Sequence, residues 1–161
     1  MKKYILYLFA MTIGLVGLSS CSEEASEEEE YANWKERNEQ FLASLANDSL
    51  KQSNWQRIKL FSLDPNTEGA ASDYIYVKKI SNGEGTEMPI YTDSVRVVYR
   101  GRLIPSKSYP KGFIFDSTVF GEYSVKTAYT KRQAVSNTIL GYATALQNMH
   151  KGDYWRVYIP S

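Results

Sequence analysis

The sequence predicts an α+β fold in which an antiparallel β-sheet wraps around one helix, preceded by a short helical segment. Hydrophobic residues make up 43% of the 161 residues and aromatic residues 14%, which is enough apolar material for a core. The hydrophobic period also changes along the chain. It is helical between residues 31 and 61, strand-like from residue 74, and helical again between Thr138 and Met149.

The first twenty residues have the three parts of a secretory signal peptide. Lys2 and Lys3 supply a positive start, and the apolar run from Tyr4 to Leu18 is short for a membrane span. Leu-Ser-Ser then leads into Cys21, a pattern that resembles a bacterial lipobox, in which the cysteine thiol is acylated. An ordinary cleaved signal with an incidental cysteine is the alternative. Because Cys21 is the only cysteine in the chain, we expect a signal peptide over residues 1–20, lipidation at Cys21 and a membrane anchor.

The segment 21–30 reads as an acidic tether. It is either a solvated spacer that repels itself or an address, since acidic residues after the lipid cysteine resemble the surface-export signal of Bacteroidota lipoproteins. This resemblance implies a lipid anchor in the outer membrane of a bacterial envelope, with the periplasmic and surface faces both open.

The formal net charge of +1 conceals an uneven distribution of charge. Six of the 18 acidic residues lie in the tether, and residues 31–161 carry 17 basic against 12 acidic residues. Because no stripe of Lys and Arg alternates with aromatic residues, we expect no nucleic-acid partner. One histidine and one cysteine argue against Ser/His/Asp and Cys/His catalysis, and with neither phosphate loops nor metal-ligand clusters we expect neither a cofactor nor a metal.

The segment 31–64 is predicted to be helical. Over Tyr31–Leu50 the residues Trp34, Phe41, Leu42 and Leu45 share one face. A second helical stretch is predicted from Gln52 to Phe61, with Trp55, Ile58 and Phe61 at i, i+3 and i+6. Such helices would pack on the following domain, on a second copy of the chain through residues 31–61, or on a client polypeptide.

The segment 72–161 is predicted to hold the strands and their helix. Tyr74–Ile80 reads as a strand that ends in a hairpin turn at Asn82-Gly83. Ser94–Leu103 alternates apolar and polar residues, and Gly112–Thr118 is a short extended piece.

The remaining elements are one helix and one strand. Thr138–Met149 reads as an amphipathic helix with Ile139, Tyr142, Leu146 and Met149 on one side, capped by Ser136 or Asn137 and followed by Gly152. Asp153–Ile159 alternates again, which places Trp155, Val157 and Ile159 inward.

Five short motifs in order carry a resemblance to a known family. They are Val97-Val98-Tyr99-Arg100-Gly101, Phe115-Asp116-Ser117-Thr118, Ile139-Leu140-Gly141-Tyr142, Leu146-Gln147-Asn148-Met149 and Gly152. Over residues 94–161 the chain resembles the FKBP-type peptidyl-prolyl cis-trans isomerases, with Pro105–Lys111 as a longer loop between the first two motifs. That family also continues into a loop and a closing strand beyond the position of Ser161, so the resemblance implies a domain that is C-terminally incomplete here.

The resemblance implies a site for non-covalent catalysis on proline-containing polypeptide clients. Tyr99 and Phe115 would be walls of an apolar cradle, Tyr142 its floor and Asp116 its polar anchor. Ile139 would offer a backbone N–H to the substrate, with Thr138 and Phe113 as further binding residues. Tyr142 stands where the family usually has Trp, and Thr138 where it has Val.

Three functions remain open at this stage. The first is an isomerase that assists the folding of exported proteins. The second is a binding or chaperone module of the same fold without turnover, and the third is a structural lipoprotein of the envelope.

Overall fold

A computed structural model describes residues 29–124 and 126–160 of the chain. The expected signal peptide, Cys21 and all but the last two residues of the acidic tether lie outside these ranges. Within them, no helix combines the length and the apolar character that crossing a bilayer requires.

The first helix, α1, spans Trp34–Asp48 and is followed by a single 3-10 turn over Ser49–Lys51. It begins later than the predicted Tyr31 because Asn33 takes a left-handed backbone conformation, with φ of 51°. Leu45 is buried, and the helix packs through it on aromatic residues of the sheet. The helical segment therefore covers a face of its own chain.

The predicted second helix over Gln52–Phe61 is wrong. These residues form strand β1, Trp55–Lys59, which pairs antiparallel with β2, Tyr74–Ser81. Trp55 packs on the side of α1, whereas Ile58 packs on the opposite face of the sheet. Because both faces are covered, apolar residues occur on both, and their spacing imitates the i, i+3 pattern of a helix.

The main sheet has three antiparallel strands in the order β1-β2-β7, where β7 is Tyr154–Tyr158. The first four residues of β2 are all buried, because Tyr74 and Tyr76 face α1 while Ile75 and Val77 face the other layer. The three residues predicted to point inward pack on that second side, as expected: Trp155, Val157 and Ile159.

The predicted hairpin at Asn82-Gly83 is also wrong, since β2 pairs only with β1 and β7 among the described strands. The Gly83 N–H instead donates to Oδ1 of Asp153 at 2.7 Å, which ties the loop to the turn before β7. A Cβ on Gly83 would collide with the backbone of Lys151. Glycine serves this close approach of two backbones and not a hairpin turn.

The remaining four strands form two short antiparallel pairs. Strand β3, Ser94–Val97, pairs with β6, Lys131–Ala134, and β4, Arg100–Arg102, pairs with β5, Ile114–Ser117. The single strand predicted over Ser94–Leu103 is thus interrupted at Val98 and Tyr99, where the chain changes partner.

The helix α2 spans Leu140–Leu146 and is shorter at both ends than the predicted Thr138–Met149. Its N-cap is Ile139 without a side-chain cap, because a separate 3-10 turn over Val135–Asn137 takes up the expected capping residues Ser136 and Asn137. The buried side of α2 consists mainly of small residues, and the predicted apolar side is only partly inward, since Leu146 is buried but Ile139 is 66% exposed.

Candidate functional site

The site is organised around Tyr99, which lies in the break between β3 and β4, and Asp116, which lies in β5. The Tyr99 hydroxyl donates a hydrogen bond to Oδ2 of Asp116. The backbone of Tyr99 is fixed by Thr118, whose Oγ1 accepts from the Tyr99 N–H at 2.9 Å and whose own N–H donates to the Tyr99 carbonyl at 2.9 Å. Because Thr118 is only 1% exposed, this anchor is protected from water.

Lys131 completes this polar cluster, and the sequence reasoning missed it. Its Nζ donates to the Tyr99 hydroxyl at 3.0 Å and lies 3.8 Å from Oδ2 of Asp116. A lysine within the polar stretch Lys-Arg-Gln of a short strand carries no signal of a site in the sequence. Only the pairing of β6 with β3 places Lys131 near Tyr99.

The charges of this cluster stabilise each other. The hydrogen bond from Tyr99 is the largest cause that lowers the pKa of Asp116, and Lys131 contributes in the same direction. The pKa of Lys131 is raised, first by its hydrogen bond to Tyr99. Asp116 and Lys131 are therefore both charged at neutral pH. Their side chains are 50% and 48% exposed, so we expect the pair to orient groups at the surface more than to stabilise the fold.

Tyr142 lies beside Tyr99 and packs, partly buried, on the cluster of Val135, Ala143 and Leu146. Its ring centre is 6.1 Å from that of Tyr99, at an interplanar angle of 52°. Burial raises the pKa of Tyr142 to about 12. The side chain of Gln133 lies close by and lowers that pKa, yet its buried Nε2 makes no hydrogen bond of normal geometry to any described residue.

Two of the predicted apolar residues, Phe115 and Ile139, are mostly exposed. Phe115 is 61% exposed, and its ring lies so close to Gly101 that a Cβ there would be 2.5 Å from Cζ. Ile139 is 66% exposed, and its backbone N–H makes no hydrogen bond within the described residues. Both could thus contact a ligand without displacing any part of the core.

Two predicted residues make their contacts elsewhere. The Phe113 ring packs edge-on against Tyr109, with centroids 5.1 Å apart. The Thr138 hydroxyl donates to the Val135 carbonyl at 2.8 Å and is used within the turn before α2. The structure therefore joins Tyr99 to Asp116 by a hydrogen bond and to Tyr142 by a ring contact, whereas Phe113 and Thr138 have other partners.

The chain is similar to known proteins both in sequence and in structure. The chain is 32% identical over 83 residues to the macrophage infectivity potentiator of Trypanosoma cruzi, which covers 52% of this chain and 36% of that protein. The chain thus spans about a third of the length of this curated relative. This similarity confirms the predicted resemblance to the FKBP-type peptidyl-prolyl isomerases. No family model matches the chain.

Among solved structures, the chain is similar to a peptidyl-prolyl cis-trans isomerase of Pseudomonas syringae pv. tomato. The two are 22% identical, with a TM-score of 0.49 over 86% of this chain and 74% of the other. The α+β class itself follows from the antiparallel strands and helices described above.

Proposed function

We propose that this chain is a peptidyl-prolyl cis-trans isomerase that assists the folding of exported proteins. The observation that carries the proposal is the contact of the Tyr142 ring with Tyr99, whose hydroxyl donates to Asp116. The exposed apolar side chains of Phe115 and Ile139 support it. Such an arrangement offers an apolar surface for a proline ring beside a few fixed polar groups.

The chemistry requires neither a nucleophile nor a proton transfer. Rotation about a peptide bond crosses a barrier of about 18–20 kcal/mol, because resonance keeps the amide flat. An X-Pro bond exchanges over tens to hundreds of seconds without a catalyst. Each ~1.4 kcal/mol taken from the barrier accelerates exchange tenfold, so a surface that fits the twisted amide better than the flat one is sufficient.

Each residue of the site has a role in this proposal. Tyr142 supports the proline ring, while Tyr99 and Phe115 form the walls that exclude water. Water favours the charge-separated form of the amide, so its exclusion lets the bond twist. Asp116 fixes the polar side of the cradle, and the N–H of Ile139 donates to a substrate carbonyl.

Thr138 and Phe113 extend the binding surface in a secondary role. Thr138 precedes the donor Ile139, and its own hydroxyl is engaged by the Val135 carbonyl. Phe113 is 40% exposed and would contact substrate residues further from the proline.

We also propose that the domain over residues 72–161 is held at the outer membrane through a lipid on Cys21 and the tether 21–30. The positive start, the apolar run and the small residues before the single cysteine support this proposal. Mass spectrometry of the membrane fraction tests it: a diacylglyceryl group on Cys21 is expected, and Cys21→Ser should release the protein from the membrane.

The isomerase proposal is tested by the exchange rate of an X-Pro model peptide, measured by NMR exchange spectroscopy with the full-length protein. Acceleration is expected, and Asp116→Ala and Tyr142→Ala should each reduce it about tenfold or more. Asp48→Ala is the matched control for the first variant, because Asp48 is exposed and its ion-pair partner within the described part of the chain is Lys51, at the end of α1. Circular dichroism establishes that each variant is folded.

Two outcomes would contradict an isomerase. A folded protein that leaves the exchange rate unchanged but binds the peptide would be a binding module with the same fold. Acceleration that survives both substitutions would place the active site elsewhere in the chain.

A further inference from the structure

The wall of the site formed by β6 presents two hydrogen-bond donors to the side occupied by α2. In the pairing of β6 with β3, Lys131 lies opposite Val97 and Gln133 lies opposite Val95. Residues directly opposite each other in an antiparallel pair project from the same face of the sheet. Val95 and Val97 pack on the buried cluster of Val135, Ala143 and Leu146, together with Tyr142. Lys131 and Gln133 therefore project toward that side as well.

Among the described residues, the donors of Lys131 are not all used. The ammonium group of Lys131 has three N–H donors, of which one is used on the Tyr99 hydroxyl. At 3.8 Å, Oδ2 of Asp116 is within ion-pair range but beyond hydrogen-bond range, and it already accepts from Tyr99. The Nε2 atom of Gln133 is buried beside Tyr142, whose pKa the Gln133 side chain lowers, so Lys131 is the donor that a ligand can reach. A ligand with an acceptor group would therefore find donors on this wall.

The net charge of the segment around the site also favours a ligand with an acceptor group. Residues 99–132 contain seven Lys or Arg and two Asp or Glu, a surplus of +5 that equals the whole surplus of residues 31–161. In particular, the Arg100 guanidinium donates to the carbonyl of Val119 and is not paired with any carboxylate of the described residues. The segment that builds the site is thus positive, while the rest of the domain is balanced.

We propose that Lys131 makes the site selective for prolyl bonds flanked by an acidic residue. The proposal rests on the proposed isomerase function and specifies its substrate class. A carboxylate beside the proline would accept hydrogen bonds from Lys131 without displacing Asp116, which keeps its bond from Tyr99. A cationic residue at the same place would meet the excess positive charge.

The test uses a series of peptides that differ only in the residue beside the proline, namely Glu, Gln, Leu or Lys, placed before or after it. Both kcat/KM for exchange and Kd are measured with the full-length protein at low and high salt. At low salt we expect the Glu peptide to exceed the Lys peptide by about three- to tenfold, the range of a partly screened charge pair. Because salt screens exposed charges, this ratio should fall toward one in 1 M salt.

Variants assign the preference to Lys131. Lys131→Met should bring the ratio of the Glu to the Lys peptide close to one, while Lys131→Arg should preserve it. Lys51→Met is the matched control, because it removes the same charge from an exposed lysine that pairs with Asp48 at the end of α1.

The two proposals fail in different ways. If no peptide exchanges faster in the presence of the protein, the isomerase proposal fails, and the preference is then read from the Kd values alone. Equal treatment of the Glu and Lys peptides, or a preference that survives Lys131→Met, would overturn the assignment while leaving an isomerase. Absence of binding to every peptide would overturn both.

Discussion

The hydroxyl of Tyr99 donates a hydrogen bond to Oδ2 of Asp116, and this one contact connects the break between β3 and β4 to the middle of β5. Tyr99 can make it because its backbone is fixed at both N–H and C=O by the buried Thr118. The side chain of Asp116 is half exposed, so its orientation depends on Tyr99 and Lys131 and not on packing.

Removal of the Tyr99 hydroxyl should therefore change the titration of Asp116. The hydrogen bond from Tyr99 is the largest cause of the lowered pKa, so in Tyr99→Phe the pKa of Asp116 should rise toward its ordinary value of 3.8. The pKa of Asp116 is lower in the folded protein than in the unfolded chain, so its ionised carboxylate stabilises the fold. This stabilisation is complete above pH 3.8 and is lost as the pH falls through the pKa of Asp116 in the folded protein. Between pH 5 and 8, the stability of the wild type and that of Tyr99→Phe should depend on pH in the same way.

Carboxyl ¹³C NMR of Asp116 measures this change. Tyr91→Phe serves as the matched control, because Tyr91 packs on Phe61 and is not among the groups that act on Asp116. An unchanged pKa of Asp116 in Tyr99→Phe would mean that the hydrogen bond is not maintained in solution.

A methyl group at Gly101 should separate activity from stability. Its Cβ would lie 2.5 Å and 2.6 Å from two atoms of the Phe115 ring, so the ring has to move. Because Phe115 is 61% exposed, it can turn into solvent at a cost of about 1 kcal/mol or less. Gly101→Ala should therefore keep nearly all of its stability but lose about tenfold in kcat/KM for X-Pro exchange, as the wall of the cradle is displaced.

Gly141→Ala gives the contrast for this experiment. There the added Cβ would collide with Ile159 and lie 3.1 Å from Cγ2 of Ile75, inside the core. Overpacking of this kind costs about 1–3 kcal/mol, which denaturant titration detects. An equal loss in the free energy of unfolding for Gly101→Ala and Gly141→Ala would mean that the Phe115 ring cannot turn into solvent, and would contradict this prediction.

The sequence predicted those parts of the fold in which one face of an element meets the core. The alternation of Trp155, Val157 and Ile159 fixed their inward side, because β7 packs that face on Ile75 and Val77. The same reasoning failed for β1, since a strand covered on both faces has no alternation to detect. The hairpin predicted at Asn82-Gly83 was wrong for another reason. A glycine is needed there because the backbone of Lys151, a residue distant in sequence, leaves no room for a Cβ.

The sequence likewise predicted only those residues of the candidate site that belong to a motif. Tyr99, Asp116 and Tyr142 belong to segments with a recognisable order of residues, and the structure places them together. Lys131 and Gln133 belong to a polar stretch that looks like ordinary solvent-facing strand. Their position beside the site results from the register between β6 and β3, which no local pattern encodes.

Tyr142 should make the protein sensitive to alkali. Burial raises its pKa to about 12 from an ordinary value of 10.0, so the folded protein holds the proton more tightly than the unfolded chain. The resulting stabilisation is fully present below pH 10 and is lost as the pH rises toward 12. Tyr142→Phe cannot ionise, so between pH 10 and 12 its denaturation midpoint should fall less steeply than that of the wild type.

Denaturant titrations of both proteins at intervals from pH 8 to 12 measure the difference. Comparison of the two slopes removes the contribution of the other tyrosines, including Tyr76, whose pKa burial also raises. Parallel curves over the whole range would show that Tyr142 is exposed to water in solution, and would argue against its role as the floor of the cradle.

The docking of α1 on the sheet should contribute substantially to stability. Leu45 is 7% exposed and is the one residue of α1 buried among the described residues, where it contacts the cluster of Tyr74 and Tyr76. Leu45→Ala should cost about 2–4 kcal/mol, through lost burial and the cavity left behind. The same change at Leu63, which is 36% exposed, is the matched control and should cost less than about 1 kcal/mol.

Urea unfolding at two protein concentrations provides the measurement. A cost at Leu45 no larger than at Leu63 would mean that α1 does not rest on this sheet in solution, and a midpoint that rises with protein concentration would indicate that it packs on a second copy of the chain instead.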